Sequence, residues 1–362
     1  MDYFFTFAAL LAFLRIIYFY NFYKKFNFKR KIPSLVSIII PARNEEKRIE
    51  VLLKSITRKI KYPIEIIVVD DNSTDNTVLV AKKYGAKVLQ VKDFFNEEGK
   101  SIACYTGAIN SKGDYLLFID ADVFFEDGAF DYIFENIPEE GGLTINPYHE
   151  TKKFYEQFSL YSNIVVQLGL KTKITDDKSI IMTNGYFGPF FLIKREDYFK
   201  VDGHMSVKDS VIEDMELGKK LADSGVKIYT IPHRKLVKFR MYPEGLKTLF
   251  NGWSKNMALG AINASIFSII LISGVFASSF NTTLNLIKNI SNFNYLTLIY
   301  ATLYLLYSVI LFISAKNIGK FKFLSCLLHP LFSTFYIIIF INSFIIKTFG
   351  IKIKWRERII KP

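Results

Sequence analysis

One stretch constrains the fold more than any other: an apolar, strand-forming run at 115–119 that ends in Asp120 and Asp122, separated by Ala121. In an α/β sheet, ligands bind outside the carboxyl ends of the strands. Because strand side chains repeat every two residues, we expect both carboxylates to point the same way at that edge. Two hard oxygen ligands suit a divalent cation that also holds a pyrophosphate. A surface turn with two solvated acids would give the same pattern, so the rest of the chain has to decide.

Residues 36–119 alternate between strand and helix patterns, which is typical of a mostly parallel α/β sheet. The polar residues at 70–75 supply an N-cap for the helix that follows them, and Gly85 ends that helix. We expect strands at 36–40, 64–69, 86–91 and 115–119, with helices opening at 44–46, running through 81–84 and spanning about 100–110.

Apolar runs at both ends of the chain predict a membrane protein. Half of the 362 residues are hydrophobic and 16% are aromatic, which is rich for a soluble enzyme. The run at 3–23 is long enough to span a bilayer, and three more lie at about 262–280, 294–315 and 323–346. No basic region precedes the first run and no small-residue cleavage site follows it. We therefore expect an anchor and not a cleaved signal peptide.

The formal net charge of +13 is concentrated beside these apolar runs. Two basic clusters lie beside them, formed by Lys24, Lys25, Lys29, Arg30 and Lys31 and by Lys347, Lys352, Lys354, Arg356, Arg358 and Lys361. This placement is typical of cytoplasmic flanks of membrane helices and argues against nucleic-acid binding. It predicts a cell-membrane, multi-pass protein whose domain after the first run is cytoplasmic.

The last apolar run is harder to orient. The loop at 316–322 is basic and therefore predicted to be cytoplasmic, so a further full span would place the basic tail outside. We favour re-entry or interfacial burial of 323–346, with a bend at His329 and Pro330. The alternative is that the tail is an exception to the charge rule.

Eight motifs occur in a specific order along 35–260. They are SIIIPARNEE at 37–46, VVDDNSTD at 68–75, GK at 99–100, DAD at 120–122, GPFFLIKR at 188–195, GH at 203–204, IEDMEL at 212–217 and GWSKN at 252–256. This order resembles a family-2 glycosyltransferase of GT-A fold. The later motifs, followed by membrane helices and a Trp-Arg-x-Arg tail, resemble membrane glycosyltransferases of the diaponeurosporenoate glucosyltransferase type. The tail departs from that pattern at Glu357, where glycine is expected.

The resemblance implies a nucleotide-sugar site along the first two strands. The backbone of Pro41 and Ala42 would cradle the base and ribose. Asp70 would accept a hydrogen bond from the imide N–H of the base, a role that suits a carboxylate because it only accepts. Asp71 would share that role or cap a helix.

Five further residues complete the donor side that the resemblance implies. Arg43 would meet a phosphate or lie solvated in its loop, and Glu45 would lie near the nucleotide or cap a helix. Lys100 would hold the ribose side or a phosphate. Asp120 would contact ribose, and Asp122 would bind the Mg²⁺ or Mn²⁺ that bridges the two phosphates and offsets charge on the leaving group.

The acceptor side depends on two acids that open a predicted helix. The resemblance implies that Asp214 is the general base of an inverting transfer, supported by Glu213, which could instead bind donor hydroxyls. Acids at a helix N-terminus are also favoured by the helix dipole alone, so a purely structural reading stays open. The remaining residues expected on the acceptor and donor side are Gly188, His204, Trp253 and Lys255.

The other candidate residues favour structural roles. His233 follows a predicted strand and is more typical of a surface loop than of an added metal ligand. Cys104 and Cys326 are expected to pack in helices and not to form a disulfide. The apolar spacing at 244–261 predicts an amphipathic interfacial helix, with packing on the sheet as the alternative. Residues 154–166 could form a second membrane-facing helix.

The sequence therefore predicts an N-terminal anchor (1–23), a GT-A domain (35–243), an interfacial helix (244–261), membrane segments (262–346) and a basic tail (347–362). The expected activity is non-processive, metal-dependent transfer of a hexose from a nucleotide-sugar, UDP-glucose by default, to a membrane lipid. A polyprenyl-phosphate glycosyltransferase stays open as the nearest alternative. A processive polysaccharide synthase lacks support, because Trp253 is not preceded by the Gln-x-x-Arg that such enzymes carry. A non-enzymatic binding module would be free to lose the acids that this chain retains.

Overall fold

The structure is a computed structural model that describes residues 2–21, 33–57, 61–175, 179–262, 264–291, 293–351, 353–355 and 358–360. The chain divides into two compact units. The sheet unit comprises 24–148 and 172–240, and the helical unit comprises 1–23, 149–171 and 241–362. The predicted continuous domain at 35–243 is thus interrupted, because 149–171 folds with the helices.

Fourteen strands are described. They are β1 (Val36–Ala42), β2 (Ile64–Asp70), β3 (Lys87–Gln90), β4 (Tyr115–Ile119), β5 (Val123–Phe125), β6 (Gly142–Thr144), β7 (Tyr148–His149), β8 (Thr172–Ile174), β9 (Ile180–Met182), β10 (Phe190–Lys194), β11 (Ile228–Thr230), β12 (Val237–Phe239), β13 (Ile353–Trp355) and β14 (Arg358–Ile360).

Thirteen α-helices are described. They are α1 (Asp2–Asn21), α2 (Glu46–Thr57), α3 (Thr77–Lys83), α4 (Lys100–Ile109), α5 (Ala129–Phe134), α6 (Leu160–Gly169), α7 (Arg195–Phe199), α8 (Glu213–Asp223), α9 (Leu246–Ile262), α10 (Ile266–Ile290), α11 (Tyr295–Ile318), α12 (Phe323–Leu327) and α13 (His329–Thr348). Short 3-10 helices occur at Val91–Asp93, Phe154–Ser159 and Gly203–Val207.

A nine-stranded mixed sheet organises the sheet unit, in the order β3-β2-β1-β4-β10-β6-β11-β9-β8. The first four strands run parallel, and β10 then pairs antiparallel with β4. The register places Ala42 opposite Asp70 and Ile39 opposite Phe118, so the carboxyl ends of β1, β2 and β4 meet at one edge. This mixed α/β sheet, together with helices apolar enough to cross a membrane, confirms the predicted fold class.

Local sequence explains the parallel half of the sheet. The apolar residues of β1 and β4 are buried, as expected for strands covered on both faces. Helix α2 buries Ile49, Leu52, Leu53 and Ile56, which share one face at helical spacing. Gly85 takes a φ of 76° just after α3, a left-handed conformation that glycine adopts without steric penalty. These elements bring the ends of β1, β2 and β4 to one edge of the sheet.

Four helices of the helical unit are long and apolar enough to cross a membrane. They are Phe4–Asn21 within α1, then α10, α11 and α13. Helices α1 and α10 approach closely, because a Cβ built on Gly274 would lie 2.6 Å from Cβ of Ala8. The predicted bend in the last run falls one residue earlier, at Leu328, where α12 ends and α13 starts. From there α13 runs for 20 residues, which is long enough for a full span as well as for a re-entrant segment.

The helix at Leu246–Ile262 and the segment at 149–171 share one apolar core. Leu249, Trp253 and Met257 are buried in it, and the indole N–H of Trp253 donates to Oγ of Ser159 at 3.0 Å. Helix α9 therefore packs on other helices of this unit, in contrast to the alternative of packing on the sheet. Leu160, Tyr161 and Ile164 of α6 are buried here as well, whereas Phe154 is exposed, and the membrane-facing role of 154–166 stays a prediction.

Candidate active site

A small cavity opens beside the carboxyl end of β4. Its lining comes from separate elements of the sheet unit, including β1, the start of α4, the end of β4 and the start of α8. Seven predicted site residues line it: Pro41, Lys100, Asp120, Gly188, His204, Glu213 and Asp214. The structure thus brings together residues that are far apart in sequence, from Pro41 to Asp214.

Lys100 joins the donor-side and acceptor-side acids. Its Nζ lies 2.8 Å from Oδ1 of Asp120 and 3.2 Å from Oε1 of Glu213. Burial lowers the pKa of Lys100, but the charges of Asp120 and Glu213 outweigh it and hold the pKa well above its ordinary value. Lys100 was predicted to meet ribose or a phosphate. In this structure it places a positive charge between two carboxylates at the cavity, and its contact with ribose or a phosphate stays a prediction.

Asp214 combines a perturbed acidity with a fixed orientation. Burial, with a further contribution from the charge of Glu213, raises the pKa of Asp214 to about 7, although Lys100 opposes that rise. Its Oδ1 accepts a hydrogen bond from the backbone N–H of Met215 at 2.9 Å. A Cβ built on Gly188 would lie 3.0 Å from Oδ2 of Asp214, so glycine leaves room for the carboxylate. A carboxylate with this pKa can accept a proton near neutral pH.

His204 lies inside a chain of buried aromatic hydroxyls. Its Nε2 lies 3.2 Å from Oη of Tyr186, and its Nδ1 lies 3.1 Å from Oη of Tyr198. Burial lowers the pKa of His204 to about 3, so the ring is neutral at physiological pH. Gly203 makes this packing possible, because a Cβ there would lie 2.1 Å from Cζ of Tyr198 and its φ is +47°. His204 lines the cavity, and both its ring nitrogens contact the protein.

Asp70 and Asp71 lie at the end of β2 and are both buried. A carboxylate oxygen of Asp70 accepts from the backbone N–H of Ser73 at 3.2 Å. Oδ1 of Asp71 accepts from the N–H of Gly99 at 3.3 Å, and its backbone N–H donates to the carbonyl of Ala42 at 2.9 Å. These contacts build a preformed loop beside Ala42, and the N-cap residue of α3 is Asn76.

Arg43 and Glu45 are held by neighbouring loop residues. An Nη1 proton of Arg43 is donated to the carbonyl oxygen of Asp71 at 2.7 Å, and the same atom lies 3.4 Å from a carboxylate oxygen of Glu98. Glu45 is buried, pairs with Arg48 at 3.0 Å, and accepts helix N–H groups with its backbone carbonyl. Both residues shape the loop after β1. Their predicted contacts with a nucleotide stay predictions.

The Asp-x-Asp pair lies in a turn and not on a strand. Strand β4 ends at Ile119, and the N–H of Val123 donates to the carbonyl of Asp120 at 3.1 Å. The strand periodicity from which the two carboxylates were expected to point the same way therefore does not extend to these residues, since a turn has no two-residue repeat. The backbone N–H of Arg240 donates to the carbonyl of Asp122 at 3.1 Å, which ties the turn to the loop after β12.

The donor set at this turn can be tested against a metal. Among the described residues, no group of three or more His, Cys, Asp or Glu side chains is placed to hold an ion by itself. A cation that binds a diphosphate takes one or two carboxylates from the protein and its other ligands from phosphate and water. Asp122, half-buried next to the cavity residue Asp120, fits that limited demand.

The remaining predicted residues lie elsewhere. Trp253 and Lys255 belong to α9 in the helical unit, and their acceptor-side role stays a prediction. His233 is buried, and its Nδ1 accepts from the backbone N–H of Lys235 at 2.8 Å, which makes it a turn residue. Cys104 and Cys326 are buried and unbridged, as expected.

Sequence reasoning missed the aromatic members of the cavity. Tyr186 and Phe118 also line it, although neither was named as a site residue. Cys104 lines it too, although it was expected only to pack in its helix. Tyr186 lies two residues before Gly188, inside a segment without strand or helix periodicity. Its proximity to the Gly-Pro motif was the only local signal that could have found it.

Comparisons with known proteins agree on this architecture. Residues 37–201 match the sequence profile described as Glycosyl transferase family 2. The chain is 39% identical over 245 residues to the 4,4'-diaponeurosporenoate glycosyltransferase of Staphylococcus aureus (strain MRSA252). That alignment covers 66% of this chain and 64% of the relative, so the match spans a little under two thirds of the relative's length.

A solved structure extends the similarity of fold to almost the whole chain. The mannosyltransferase PcManGT of Pyrobaculum calidifontis, solved in complex with GDP-Man and Mn²⁺, aligns with a TM-score of 0.53 at 17% identity. The alignment covers 90% of this chain and 94% of that protein. At this identity the similarity establishes a shared GT-A-like fold.

Proposed function

Because residues 37–201 form a glycosyl transferase family 2 domain, we propose that the protein is an inverting hexosyltransferase that uses a nucleotide-sugar and a membrane lipid acceptor. Each catalytic cycle adds one sugar and releases a nucleoside diphosphate. A UDP-sugar, with UDP-glucose as the default, is the proposed donor.

The observation that carries this proposal is the position and acidity of Asp214. It lies in the same cavity as Asp120 and Lys100, and its pKa is raised to about 7. A general base works best when its pKa lies near the working pH. Asp214 takes the proton from an acceptor hydroxyl while the oxygen attacks the anomeric carbon in line. The C–O bond to the diphosphate breaks on the opposite face, which inverts the anomeric centre.

The donor side follows from the loops at the carboxyl edge. The preformed loop at Asp70 and Asp71, beside Ala42, is the proposed site for the base and ribose. Asp120 would contact ribose, and Asp122 would hold Mg²⁺ or Mn²⁺. Bound there, the cation supplies Lewis-acid stabilisation of the charge that develops on the departing diphosphate. Lys100, held between Asp120 and Glu213, can exchange either carboxylate for a phosphate oxygen of the donor.

Two features support a membrane lipid as the acceptor. The chain has four described helices apolar enough to cross a bilayer. The Staphylococcus aureus relative is named for transfer to 4,4'-diaponeurosporenoate. With the basic flanks of the apolar runs, these features support a cell-membrane protein with its sheet unit in the cytoplasm, where nucleotide-sugars are made.

The acidity of Asp214 bears on the chemistry of the acceptor. A lipid carboxylate or a polyprenyl phosphate is already ionised and needs no base, whereas a lipid hydroxyl does. The raised pKa of Asp214 therefore favours a hydroxyl-bearing lipid, with the ionised acceptors as the second candidate.

The test is incubation of membranes containing the protein with a panel of labelled nucleotide-sugars, followed by solvent extraction and mass spectrometry. We expect one hexose per lipid in the organic phase and an equal amount of released nucleoside diphosphate. Label that stays in the aqueous phase as a polymer would contradict the proposal. Membranes that carry Asp214→Asn serve as the matched control.

A further inference from the structure

Tyr186 is a buried cavity residue that the proposed reaction has not yet used. Its ring stacks on Phe191 with centroids 3.8 Å apart, so its position is fixed. Its hydroxyl lies 3.2 Å from Nε2 of His204. Among the described residues, no other protein donor or acceptor lies within hydrogen-bonding distance of that hydroxyl.

The hydrogen bonds of His204 and Tyr198 determine which atom carries each proton. Oη of Tyr198 accepts a hydrogen bond from the backbone N–H of His204 at 3.0 Å and also lies 3.1 Å from Nδ1 of that ring. Tyr198 is fully buried, so its own hydroxyl proton needs an acceptor. Nδ1 of His204 is the acceptor within reach, and it must therefore be unprotonated.

This leaves the neutral His204 ring with its proton on Nε2. Nε2–H then donates to Oη of Tyr186, and the hydroxyl proton of Tyr186 is available for a ligand. Burial, with the charges of Asp214 and Glu213, raises the pKa of Tyr186 well above its ordinary value. The hydroxyl therefore stays protonated and can act as a hydrogen-bond donor at the cavity.

We propose that Tyr186 binds the transferred hexose by donating a hydrogen bond to one of its hydroxyl oxygens, and that Tyr198 and His204 are positioning residues that fix the direction of this proton. The assignment rests on the proposed function, since Asp214 is reserved there for the attacking hydroxyl and Asp120 for the nucleotide. With those two roles, the ligand in the cavity that both acids line would be the sugar. A sugar hydroxyl oxygen is a suitable acceptor for a neutral phenol.

The first test reads the proton position directly. Nitrogen NMR on the full-length protein in detergent, labelled with ¹⁵N-histidine, would assign the His204 signals by their loss in His204→Gln. We expect the proton on Nε2 and none on Nδ1. A proton on Nδ1 would overturn the proposed direction, because Tyr186 would then donate to the ring.

The second test measures what the sugar adds to binding. The affinities of UDP-glucose and of UDP are compared in the native protein, in Tyr186→Phe and in the control Tyr84→Phe, whose hydroxyl contacts Glu50 outside the cavity. We expect Tyr186→Phe to lower the affinity for UDP-glucose by about five- to tenfold and to leave that for UDP unchanged.

The outcomes separate the two levels of the proposal. If Tyr186→Phe retains the native ratio of the affinities for UDP-glucose and UDP, the proposed sugar contact is wrong. The proposed transferase function would not be affected by that result. A native protein that binds neither compound, nor any other nucleotide-sugar of the panel, would overturn both. Tyr198→Phe should lower the same ratio by a smaller factor, and His204→Gln should retain more of it than His204→Ala, since the glutamine amide can still donate.

Discussion

The loops that follow β2 and β4 lie at the same edge of one sheet, but they hold their carboxylates differently. After β2, Asp70 and Asp71 are buried and bound by backbone N–H groups of Ser73 and Gly99. After β4, Asp120 is held by the ammonium group of one long side chain, Lys100. The first loop is shaped by the backbone, whereas the second depends on a charge that a ligand can displace.

Because of this difference, we expect the two loops to have different functions. Backbone donors fix a carboxylate whether or not a ligand is present, which suits recognition of an invariant part of the donor. A lysine between Asp120 and Glu213 can change partners when phosphate enters, because the lysine stem has rotatable bonds. We therefore expect changes near β4 to alter turnover and its pH dependence, and changes near β2 to alter nucleotide affinity and folding.

The largest effect is expected from Asp122→Asn. A neutral amide is a poorer ligand for a hard cation, so sugar transfer should fall by about 10³-fold or more. The exposed control Asp93→Asn should retain activity. Transfer by the native protein should also stop in chelator and return with added Mg²⁺ or Mn²⁺. Full activity in chelator would show that transfer does not require a metal.

The next largest effect is expected from Asp214→Asn. Asparagine retains the shape of the side chain but cannot take the proton, so single-turnover transfer should fall by about 10²–10⁴-fold. Nucleotide-sugar affinity should persist, because the loop after β2 is untouched. Asp223→Asn, at the exposed end of the same helix, is the matched control. Near-native turnover of Asp214→Asn would point to an acceptor that arrives already ionised.

Lys100→Gln should have a smaller effect that depends on pH. Lys100 lowers the pKa of Asp214, so its removal should raise that pKa above about 7 and move the acidic limb of the rate profile to higher pH. At pH 7 less of Asp214 would be ionised, and transfer should fall by several fold to about tenfold. Rate profiles of Lys100→Gln and of the exposed control Lys92→Gln would measure this. If the acidic limb of the rate profile lies at the same pH in both variants, Lys100 does not affect the pKa of Asp214.

Gly188→Ala should give the smallest effect. The added Cβ would lie 3.0 Å from Oδ2 of Asp214, so the carboxylate must shift by a few tenths of an ångström. We expect turnover to fall by about two- to fivefold with little change in nucleotide affinity, because a displaced base is less well aligned. Gly169→Ala, where a Cβ meets nothing within 4 Å, is the control. Equal turnover in both variants would mean that the position of Asp214 tolerates this shift.

Local patterns in the sequence were sufficient for the parallel half of the sheet. The helix expected to open at 44–46 is present as α2, whose buried Ile49, Leu52, Leu53 and Ile56 share one face, and the apolar run at 115–119 predicted β4. Both signals arise from burial of side chains close in sequence. The motifs also contain most of the residues that line the cavity, because the carboxyl ends of parallel strands meet at one edge of the sheet.

The sequence could not supply contacts that depend on the path of the chain. Nothing local indicated that Lys100 would bridge Asp120 and Glu213, since the three residues come from separate elements. Tyr186 was missed because it lies between β9 and β10, where no periodic pattern marks a buried face. The turn at 120–122 was mistaken for a continued strand, because the alternation of carboxylates imitates strand periodicity.

The most direct test of the account is the pH profile of single-turnover transfer by the native protein and by Asp214→Asn, at saturating donor and acceptor. Asp214 must be ionised to accept a proton, so the native rate should fall as pH drops below about 7 and level off above it. In Asp214→Asn this limb should vanish, and the low residual rate should not depend on pH. A variant that retains the native limb, or a native rate independent of pH between 5 and 9, would contradict Asp214 as the general base.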